Sequence, residues 1–246
     1  FVPFSKEEHL TKIVIPFQKY GKDSGLVPVL GDDVLKKLDE LDGEILLFLS
    51  HIQNLYWVNK ETGKFAYITL KQDESDEKLI TCRIEGTEYD DKEEISRYLK
   101  FKRVFDHPEM DNAEVSVAYK LNSRADNINE VDGSSVWVYF PTRDETDLPF
   151  LIHGSFETAV SREKLMAPSS FNDDLFDELG DLIVESMLDL AERKLITQVF
   201  LRRSILGAFE DEEDNVTIPG LKEKITDVIV ENGLLPDKNG TYRKPE

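Results

Sequence analysis

Apolar and polar residues alternate along much of the first two thirds of the chain, a pattern that predicts β-strands. The segment 114–121 shows it most clearly, since Val115, Val117 and Tyr119 alternate with Glu114 and Ser116. This alternation is typical of a half-buried antiparallel strand. A hairpin turn is predicted at Gly63. Further strands are predicted at 12–17, 55–58, 65–70, 79–84, 101–105 and 135–140.

Helical spacing of apolar residues takes over in the last third of the chain. Asn172 suits the N-cap of a first helix, a second is predicted at 195–209, and Pro219 suits the first position of a third. Earlier, one or two helices are predicted over 32–52 and a short one over 91–98. Because strands precede helices, the pattern favours an α+β fold: a mixed or antiparallel sheet with crossover helices, followed by a helical subdomain. The expected boundaries are 1–30, 31–168 and 169–246.

The chain of 246 residues is strongly acidic, with 30 Lys and Arg against 50 Asp and Glu and a net charge of −20 at pH 7. Such a field repels phosphate backbones, so nucleic acid is not an expected partner. The longest apolar run, 45–49, is too short to cross a bilayer, and no membrane span is expected. Cys82 is the single cysteine, which rules out an internal disulfide and favours a reducing compartment, the cytoplasm.

Sequence motifs for independent catalysis are missing. The four histidines are scattered, without a His or Cys at ligand spacing, so no metal site is predicted. Neither a G-x-x-x-x-G-K-[ST] loop nor a G-x-G-x-x-G loop occurs, so the chain has no phosphate cradle of those kinds. A nucleophile, a base and an orienting group do not occur together either. A small-molecule enzyme with an unrecognised pocket is therefore the least supported class.

Arg162 is the residue of this chain best placed to bind a phosphate. It stands in Ser161-Arg162-Glu163, which is interpreted as the start of a helix after a strand. A guanidinium at that point can project into a neighbouring site, and its fork of N–H groups suits phosphate. Arg143, at the end of an earlier strand, is a secondary candidate. The simpler alternative is that Ser161 caps the helix, Glu163 complements its dipole and Arg162 forms a surface ion pair.

The segment from Leu148-Pro149 to Ser161-Arg162-Glu163-Lys164-Leu165 resembles the transducer, or middle, domain of the GHKL ATPases. Its closest parallel is the catalytic loop of the ninety-kilodalton heat-shock chaperones, with the pattern Leu-Pro-Leu-Asn-x-Ser-Arg-Glu-x-Leu-Gln. Here the insert between the two halves is longer, and Met166 stands at the Gln position. The wider chain resembles sacsin-like proteins in the segments 44–55, 136–142, 148–156 and 235–242.

The resemblance implies a division of labour between two domains. An upstream domain of the same protein would bind ATP and Mg²⁺, with residues 1–30 as its end. Arg162 would reach the γ-phosphate of that ATP, and Ser161 and Arg143 would be further nucleotide contacts. Nucleotide state would drive a chaperone-like conformational change, with protein clients as partners. The chain alone would then be inactive, and it would form part of an ATPase when the upstream domain is present.

A non-catalytic protein-interaction module of a larger protein is the alternative from a different class. The acidic surface, the helical last third and the incomplete catalytic site favour it, and Arg162 is then only a surface residue. The environment of Arg162 discriminates between the two hypotheses. Burial in an internal ion pair would favour the module, whereas exposure towards the N-terminal strand would favour the transducer. A homo-oligomer is compatible with both.

Overall fold

An eight-stranded mixed sheet forms the centre of the protein. The computed structural model describes residues 34, 36–38, 40–60, 62–86, 93–131, 134–208, 216–237 and 241–243. The predicted strand at 12–17 and the whole N-terminal segment 1–30 lie outside the described residues, so these predictions are not tested.

The strands run in the spatial order β1-β2-β3-β4-β5-β8-β6-β7. All neighbours are antiparallel except β6 and β8, which are parallel. The α+β class and the mixed sheet are therefore confirmed. The strands are β1 (Asn54–Val58), β2 (Phe65–Gln72), β3 (Leu79–Gly86), β4 (Glu94–His107), β5 (Met110–Leu121), β6 (Ser134–Val138), β7 (Phe140–Thr146) and β8 (Leu151–Gly154).

Turns and loops, rather than helices, occupy the described residues between consecutive strands of this sheet. The expected crossover helices are not found in that part of the chain. The physical reason is the strand order, because antiparallel neighbours can be joined by short turns and only parallel neighbours need a long crossover. The hairpin between β1 and β2 is confirmed, with Gly63 at φ 77° in its turn.

Two of the early helix predictions are wrong in extent or type. Residues 94–98, predicted as a helix, belong to β4, where Glu94 to Leu99 pair with β3. Pairing and burial of Tyr98 in the sheet outweigh the weak helical pattern. Of the predicted helices over 32–52, Val34 and residues 36–38 are helical, and Gly43–Leu46 forms a 3₁₀ helix. The Asp42 carboxylate accepts a hydrogen bond from the Glu44 amide (2.8 Å) and so caps that helix.

Three α-helices follow the sheet: α1 (Ser170–Glu192), α2 (Gln198–Leu206) and α3 (Leu221–Asn232). Their predicted positions are confirmed to within a few residues, but two starts differ. Ser169 rather than Asn172 caps α1, and Leu221 rather than Pro219 is the first residue of α3, after the left-handed Gly220. A second small sheet pairs β9 (Leu235–Pro236) with β10 (Tyr242–Arg243).

The helices α1 and α2 cover one face of the large sheet, called the helix face below, and α3 packs against these two helices. The buried residues of the helix face form one apolar core with the helices, so strands and helices share their packing; the predicted boundary at residue 169 stays a prediction. Residues of the sheet in this core include Leu99, Phe101, Val117, Tyr119 and Ile152.

The opposite face, called the lysine face, carries Lys100 and Lys102 on β4, Ala118 and Ser116 beside them on β5, and His153 on β8. Among the described residues its cover is the short stretch 43–49, which includes the 3₁₀ helix. Residues 113–119 of β5 are consequently buried on both sides. The prediction of a half-buried strand is therefore wrong, because alternating small and polar residues here face a covered surface rather than water.

Candidate functional site

Arg162 lies in a hairpin-shaped loop, residues 157–165, between β8 and α1. The loop closes through backbone hydrogen bonds: the Met166 amide donates to Glu157 (2.9 Å), Ala159 to Lys164 (2.9 Å) and Arg162 to Ala159 (2.8 Å). The predicted helix start at Ser161 is therefore wrong. The tight turn explains the difference, since it places Arg162 in the left-handed region, with φ 59°, which does not continue a right-handed helix.

Two neighbouring elements hold this loop in place. From β7, the Arg143 amide donates to the Glu163 carbonyl oxygen (2.7 Å), and the Asp144 carboxylate accepts from the Leu165 amide (2.5 Å). From α1, the buried Asn172 side chain accepts from the Glu157 amide (2.7 Å) and donates to its carbonyl (3.0 Å). Asn172, predicted as a helix cap, instead anchors the loop to the first turn of α1.

The two secondary candidates have local structural contacts. The Arg143 guanidinium forms an ion pair with the Glu163 carboxylate (3.0 Å) while its side chain stays 70 % exposed. The exposed Ser161 hydroxyl accepts a long hydrogen bond from the Glu163 amide (3.4 Å). Arg143 thus lies beside the Arg162 loop, and its contacts brace that loop; Ser161 has no helix to cap.

The Arg162 side chain itself is exposed. Among the residues that the structure describes, no carboxylate forms an ion pair with it. A non-glycine residue in the left-handed region costs on the order of 1 kcal/mol, so the turn keeps Arg162 at the loop tip against a local preference. The result is an exposed positive charge on a loop whose backbone is held in place, and an anion brought by another molecule or domain can approach it.

A cavity of about 210 Å³ lies beside Arg162. Exposed apolar side chains, called the apolar rim below, lie around it: Tyr139 is 42 % exposed, Met110 38 %, and Val160 at the loop tip is fully exposed. Exposed apolar side chains that lie together are typical of a surface that is covered by a partner. The cavity walls are Met110, Val138, Tyr139, Ser155, Phe156, Thr158 and Arg162.

Sequence reasoning missed a second group of polar residues, on the lysine face. His153 is fully buried, and neither its Nδ1 nor its Nε2 has a hydrogen-bond partner among the residues that the structure describes. Its ring stacks on Phe48, with 4.9 Å between centroids, and meets the Tyr139 ring edge-on at 5.3 Å. Burial, with the nearby ammonium groups of Lys100 and Lys102, lowers the pKa of His153 to about 3. The imidazole is therefore neutral, and its one N–H group donates to none of the described residues.

The other polar residues of the lysine face are held by hydrogen bonds and by one ion pair. The Lys102 ammonium donates to the Glu114 carboxylate (2.5 Å), which also accepts from the buried Ser116 hydroxyl (3.2 Å). Lys100 instead donates to the Leu47 carbonyl oxygen (2.8 Å). Burial lowers the pKa of Lys100 to about 8. One pattern in the sequence could have indicated this group of polar residues. Polar residues two positions apart within a strand lie on the same face of the sheet, and such pairs on neighbouring strands predict one shared polar face.

A metal centre has no support in the described ranges, which contain no group of three or more His, Cys, Asp or Glu side chains suited to a metal ion. None of the helices described is long and apolar enough to cross a membrane. Comparisons of the chain with models of protein families, with curated proteins and with solved structures found no match.

Proposed function

We propose that this chain is the transducer segment of a sacsin-like or chaperone-like GHKL ATP-binding protein, in which Arg162 contacts the γ-phosphate of ATP held with Mg²⁺ by an upstream domain. One observation carries the proposal: an exposed arginine without an ion-pair partner among the described residues stands at the tip of a loop that β7 and α1 hold in place.

The chemistry asked of Arg162 is electrostatic. Charge spreads over the γ-phosphate oxygens during phosphoryl transfer, and a positioned guanidinium stabilises it with a fixed charge and paired N–H groups. Because hydrogen bonds already hold the backbone of the loop in place, the cost of ordering at the moment of reaction is confined to the Arg162 side chain. Arginines supplied in this way accelerate related reactions by about 10³–10⁵-fold.

The apolar rim gives the proposed docking a driving force. Tyr139, Met110 and Val160 leave water when another domain covers them, and the water-poor contact strengthens the attraction between Arg162 and phosphate. Docking then depends on the presence of the γ-phosphate, so nucleotide state and domain arrangement are coupled. Without the upstream domain the chain is expected to turn over little or no ATP.

The test is steady-state ATP turnover by the parent protein that carries this chain, with ATP affinity measured in parallel. Arg162→Ala is compared with wild type and with Arg124→Ala, which removes an exposed arginine from the loop at the opposite end of β5. We expect kcat to fall at least about tenfold in Arg162→Ala with the Kd for ATP nearly unchanged, the pattern of a lost transition-state contact. Arg124→Ala is expected to leave both unchanged. Turnover that is indifferent to Arg162→Ala would overturn the proposal.

A second candidate function is the non-catalytic protein-interaction module. The observation that favours it is the same apolar rim, in particular the full exposure of Val160. The two functions differ in which variant has an effect. In a pure interaction module, Val160→Asp weakens binding of a protein client while Arg162→Ala changes no ATP turnover. In the transducer, both variants lower ATP turnover. Arg162→Ala does so without changing the docking of the upstream domain, whereas Val160→Asp does so by weakening that docking.

A further inference from the structure

One edge of β4 has no partner strand over half of its length, among the residues that the structure describes. β3 pairs with residues 94–99 of β4, and the Lys100 amide donates to the Lys78 carbonyl oxygen (2.8 Å). From Phe101 to His107, β4 pairs with β5 alone. This stretch on the β3 side of β4 is called the open edge below.

The direction of the backbone groups identifies which residues present hydrogen-bonding groups at the open edge. The N–H and C=O groups of a strand point to its two sides at alternate residues, and the Lys100 amide points to the β3 side. The backbone groups of Lys102, Val104 and Asp106 therefore point to the open edge, and none of them bonds to a described residue. All three residues are exposed, Val104 by 48 %.

The described residues give the open edge little of the protection that edge strands usually have. A lysine or a covering segment commonly prevents pairing with another chain. The Lys102 ammonium donates instead to Glu114 on β5 (2.5 Å), on the side away from the open edge. The edge of β7, by contrast, is covered by the chain itself, since the Arg143 amide donates to the Glu163 carbonyl oxygen (2.7 Å). Within the described ranges, the open edge is therefore available to a further strand.

The sequence of the open edge is complementary to itself in one antiparallel register. When Val104 of one copy lies opposite Val104 of a second copy, Lys102 of each copy lies opposite Asp106 of the other. Opposite charges placed directly across two strands stabilise their pairing, and the two valines bury part of their exposed apolar surface against each other. The same three residues carry the backbone groups that point to the open edge, so this register also pairs those groups.

We propose that two copies of this chain associate through their open edges, antiparallel and centred on Val104, so that their eight-stranded sheets become continuous. The contact is two-fold symmetric and uses the same surface of both copies, so it closes at a dimer. The dimer does not depend on the ATP chemistry proposed for Arg162.

A cavity of about 580 Å³ lies where this register places the hairpin tip of the second copy. The cavity is bounded by the open edge, by α1 and by residues 77 and 78. In the dimer, His107 of the second copy lies opposite Phe101, and the turn that follows it, residues 108 and 109, lies against Lys78. Both Phe101 and Lys78 border the cavity, so the dimer fills space that the single chain leaves open.

Charge opposes the association at long range and favours it locally. Each copy carries a net charge of −20, so the dimer is expected to be weak and to need physiological salt, which screens that repulsion. On the helix face, the α1 carboxylates beside β4 are already neutralised, because Glu178 and Glu185 each pair with Arg103 (2.7 Å in both cases).

The experiment is sedimentation equilibrium of the intact chain over a wide range of concentrations at physiological salt. We expect the mean mass to rise with concentration from 28.3 kDa towards twice that value. Val104→Pro removes the central N–H group, which faces the open edge and bonds to no described residue, so an edge strand tolerates it. Because two hydrogen bonds of the dimer are lost, the Kd for dimerisation should rise at least about tenfold.

The matched control is Val58→Pro on the outer edge of β1. The Asn59 amide donates to the Lys64 carbonyl oxygen on β2 (2.7 Å), so the neighbouring Val58 amide points outward. The same substitution is thus made at an exposed edge valine that lies outside the proposed contact. Val58→Pro should leave the Kd for dimerisation unchanged.

A pair of charge variants tests the register and guards against loss of folding. Lys102→Glu and Asp106→Lys each place like charges across the contact, so each variant alone should be monomeric. A mixture of the two variants restores both opposite-charge pairs and should form a heterodimer. Failure of the mixture to associate would overturn the register.

Amide hydrogen exchange at Lys102 and Val104 reports on the open edge directly. Protection of both amides should rise with protein concentration as the dimer forms. Protection that is independent of concentration would mean that another part of the same chain covers the edge. A chain that stays monomeric with both amides unprotected would leave the edge to a different partner. Either result, or equal effects of Val104→Pro and Val58→Pro on the Kd, overturns the proposal.

Discussion

The two faces of the sheet are built in different ways. The helix face is covered by α1, which is 23 residues long, and by α2, and α3 packs against both. Its buried polar side chains are satisfied: the Tyr119 and Ser186 hydroxyls are 2.6 Å apart. The lysine face is covered, as far as the chain is described, by a four-residue 3₁₀ helix and its flanks, and it keeps a buried histidine without hydrogen bonds. The helix face is thus well packed, whereas the lysine face keeps a buried polar side chain without a hydrogen-bond partner among the described residues.

The difference separates stability from reactivity within one sheet. Apolar burial contributes roughly 25 cal/mol per Å², and the cluster of buried apolar residues that the strands share with the helices is larger than the two clusters under the stretch 43–49. The lysine face receives less cover, so its local opening should cost less free energy than global unfolding. A lysine with a lowered pKa and an unpaired imidazole are tolerated there because the helix face supplies the stability of the fold.

A matched pair of phenylalanines should show the largest effect. Phe200 on α2 and Phe48 on the 3₁₀ flank are both about 1 % exposed, but Phe200 packs against Tyr119 and Phe150 inside the helix core. Phe200→Ala should lower the free energy of unfolding by about 3–5 kcal/mol, because the rigid core cannot collapse into the cavity. Phe48→Ala should cost less than half as much, since its short segment can move. Denaturant titration of both variants measures the difference.

Amide hydrogen exchange sharpens the same comparison. In Phe48→Ala, the amides of Leu47 and Leu49 should exchange much faster while those of β5 keep their protection. In Phe200→Ala, exchange should accelerate across the sheet and helices together. Equal losses of stability with equal exchange patterns would show that the two faces do not differ in the way proposed.

The helix face was largely predictable from the sequence. Leu175, Leu179 and Leu182 recur at helical spacing, and periodicity of that kind depends only on local geometry. The caps were less accurate, because Asn172 is a good cap residue by type but bonds to Glu157, far along the chain. The strand β4 was partly missed, since its identity comes from pairing with β3 and β5 rather than from its own residues.

The candidate sites were predictable only in part, for the same reason. Arg162 could be singled out by its residue type and its neighbours, but its left-handed turn depends on contacts with β7. The lysine face was missed, because it exists only when Lys100, Ser116 and His153 are brought together by the registers of β4, β5 and β8. No pattern within one strand carries that information.

A small substitution should loosen the cover of the lysine face. A Cβ atom at Gly43 would lie 2.5 Å from Cβ of Cys82, so Gly43→Ala forces the 3₁₀ helix away from β3, at a cost of about 1–3 kcal/mol. Cys82 is buried, and burial raises the pKa of its thiol to about 12. In Gly43→Ala the thiol should become solvated and react faster with a disulfide reagent. The measurement is the rate of thiol labelling under native conditions.

The matched control lies on the helix face. Gly180 in α1 has its nearest neighbours at 3.4 and 3.5 Å from the position of a Cβ, which is ordinary contact, and alanine favours a helix over glycine by about 1 kcal/mol. Gly180→Ala should therefore hold or raise stability and leave Cys82 unreactive. If Gly43→Ala labels no faster than Gly180→Ala, the cover is not displaced and the account of this face is wrong.

The pH dependence of the free energy of unfolding tests the environment of His153 in the folded protein. The expected effect is smallest near neutral pH and grows as the pH falls. The pKa of His153 is about 3 in the folded protein, against an ordinary 6.5. Above pH 6.5 the imidazole is neutral in both states and contributes no pH dependence. As the pH falls from 6.5 towards 3, the unfolded chain takes up a proton that the folded chain refuses. Stability is then lost at up to about 1.4 kcal/mol per pH unit.

His153→Leu removes this proton uptake together with the two unpaired ring nitrogens. Near pH 7 the variant should be as stable as wild type or more so, because an unsatisfied buried donor costs about 1–3 kcal/mol. Below pH 6.5 its advantage should grow, while acidic groups common to both proteins cancel in the difference. The exposed His51 provides the control, since His51→Gln should follow the wild-type curve. Parallel curves for wild type and His153→Leu between pH 7 and 4 would mean that His153 is hydrogen-bonded or solvated in the folded protein, and the lysine face would then be as well satisfied as the helix face.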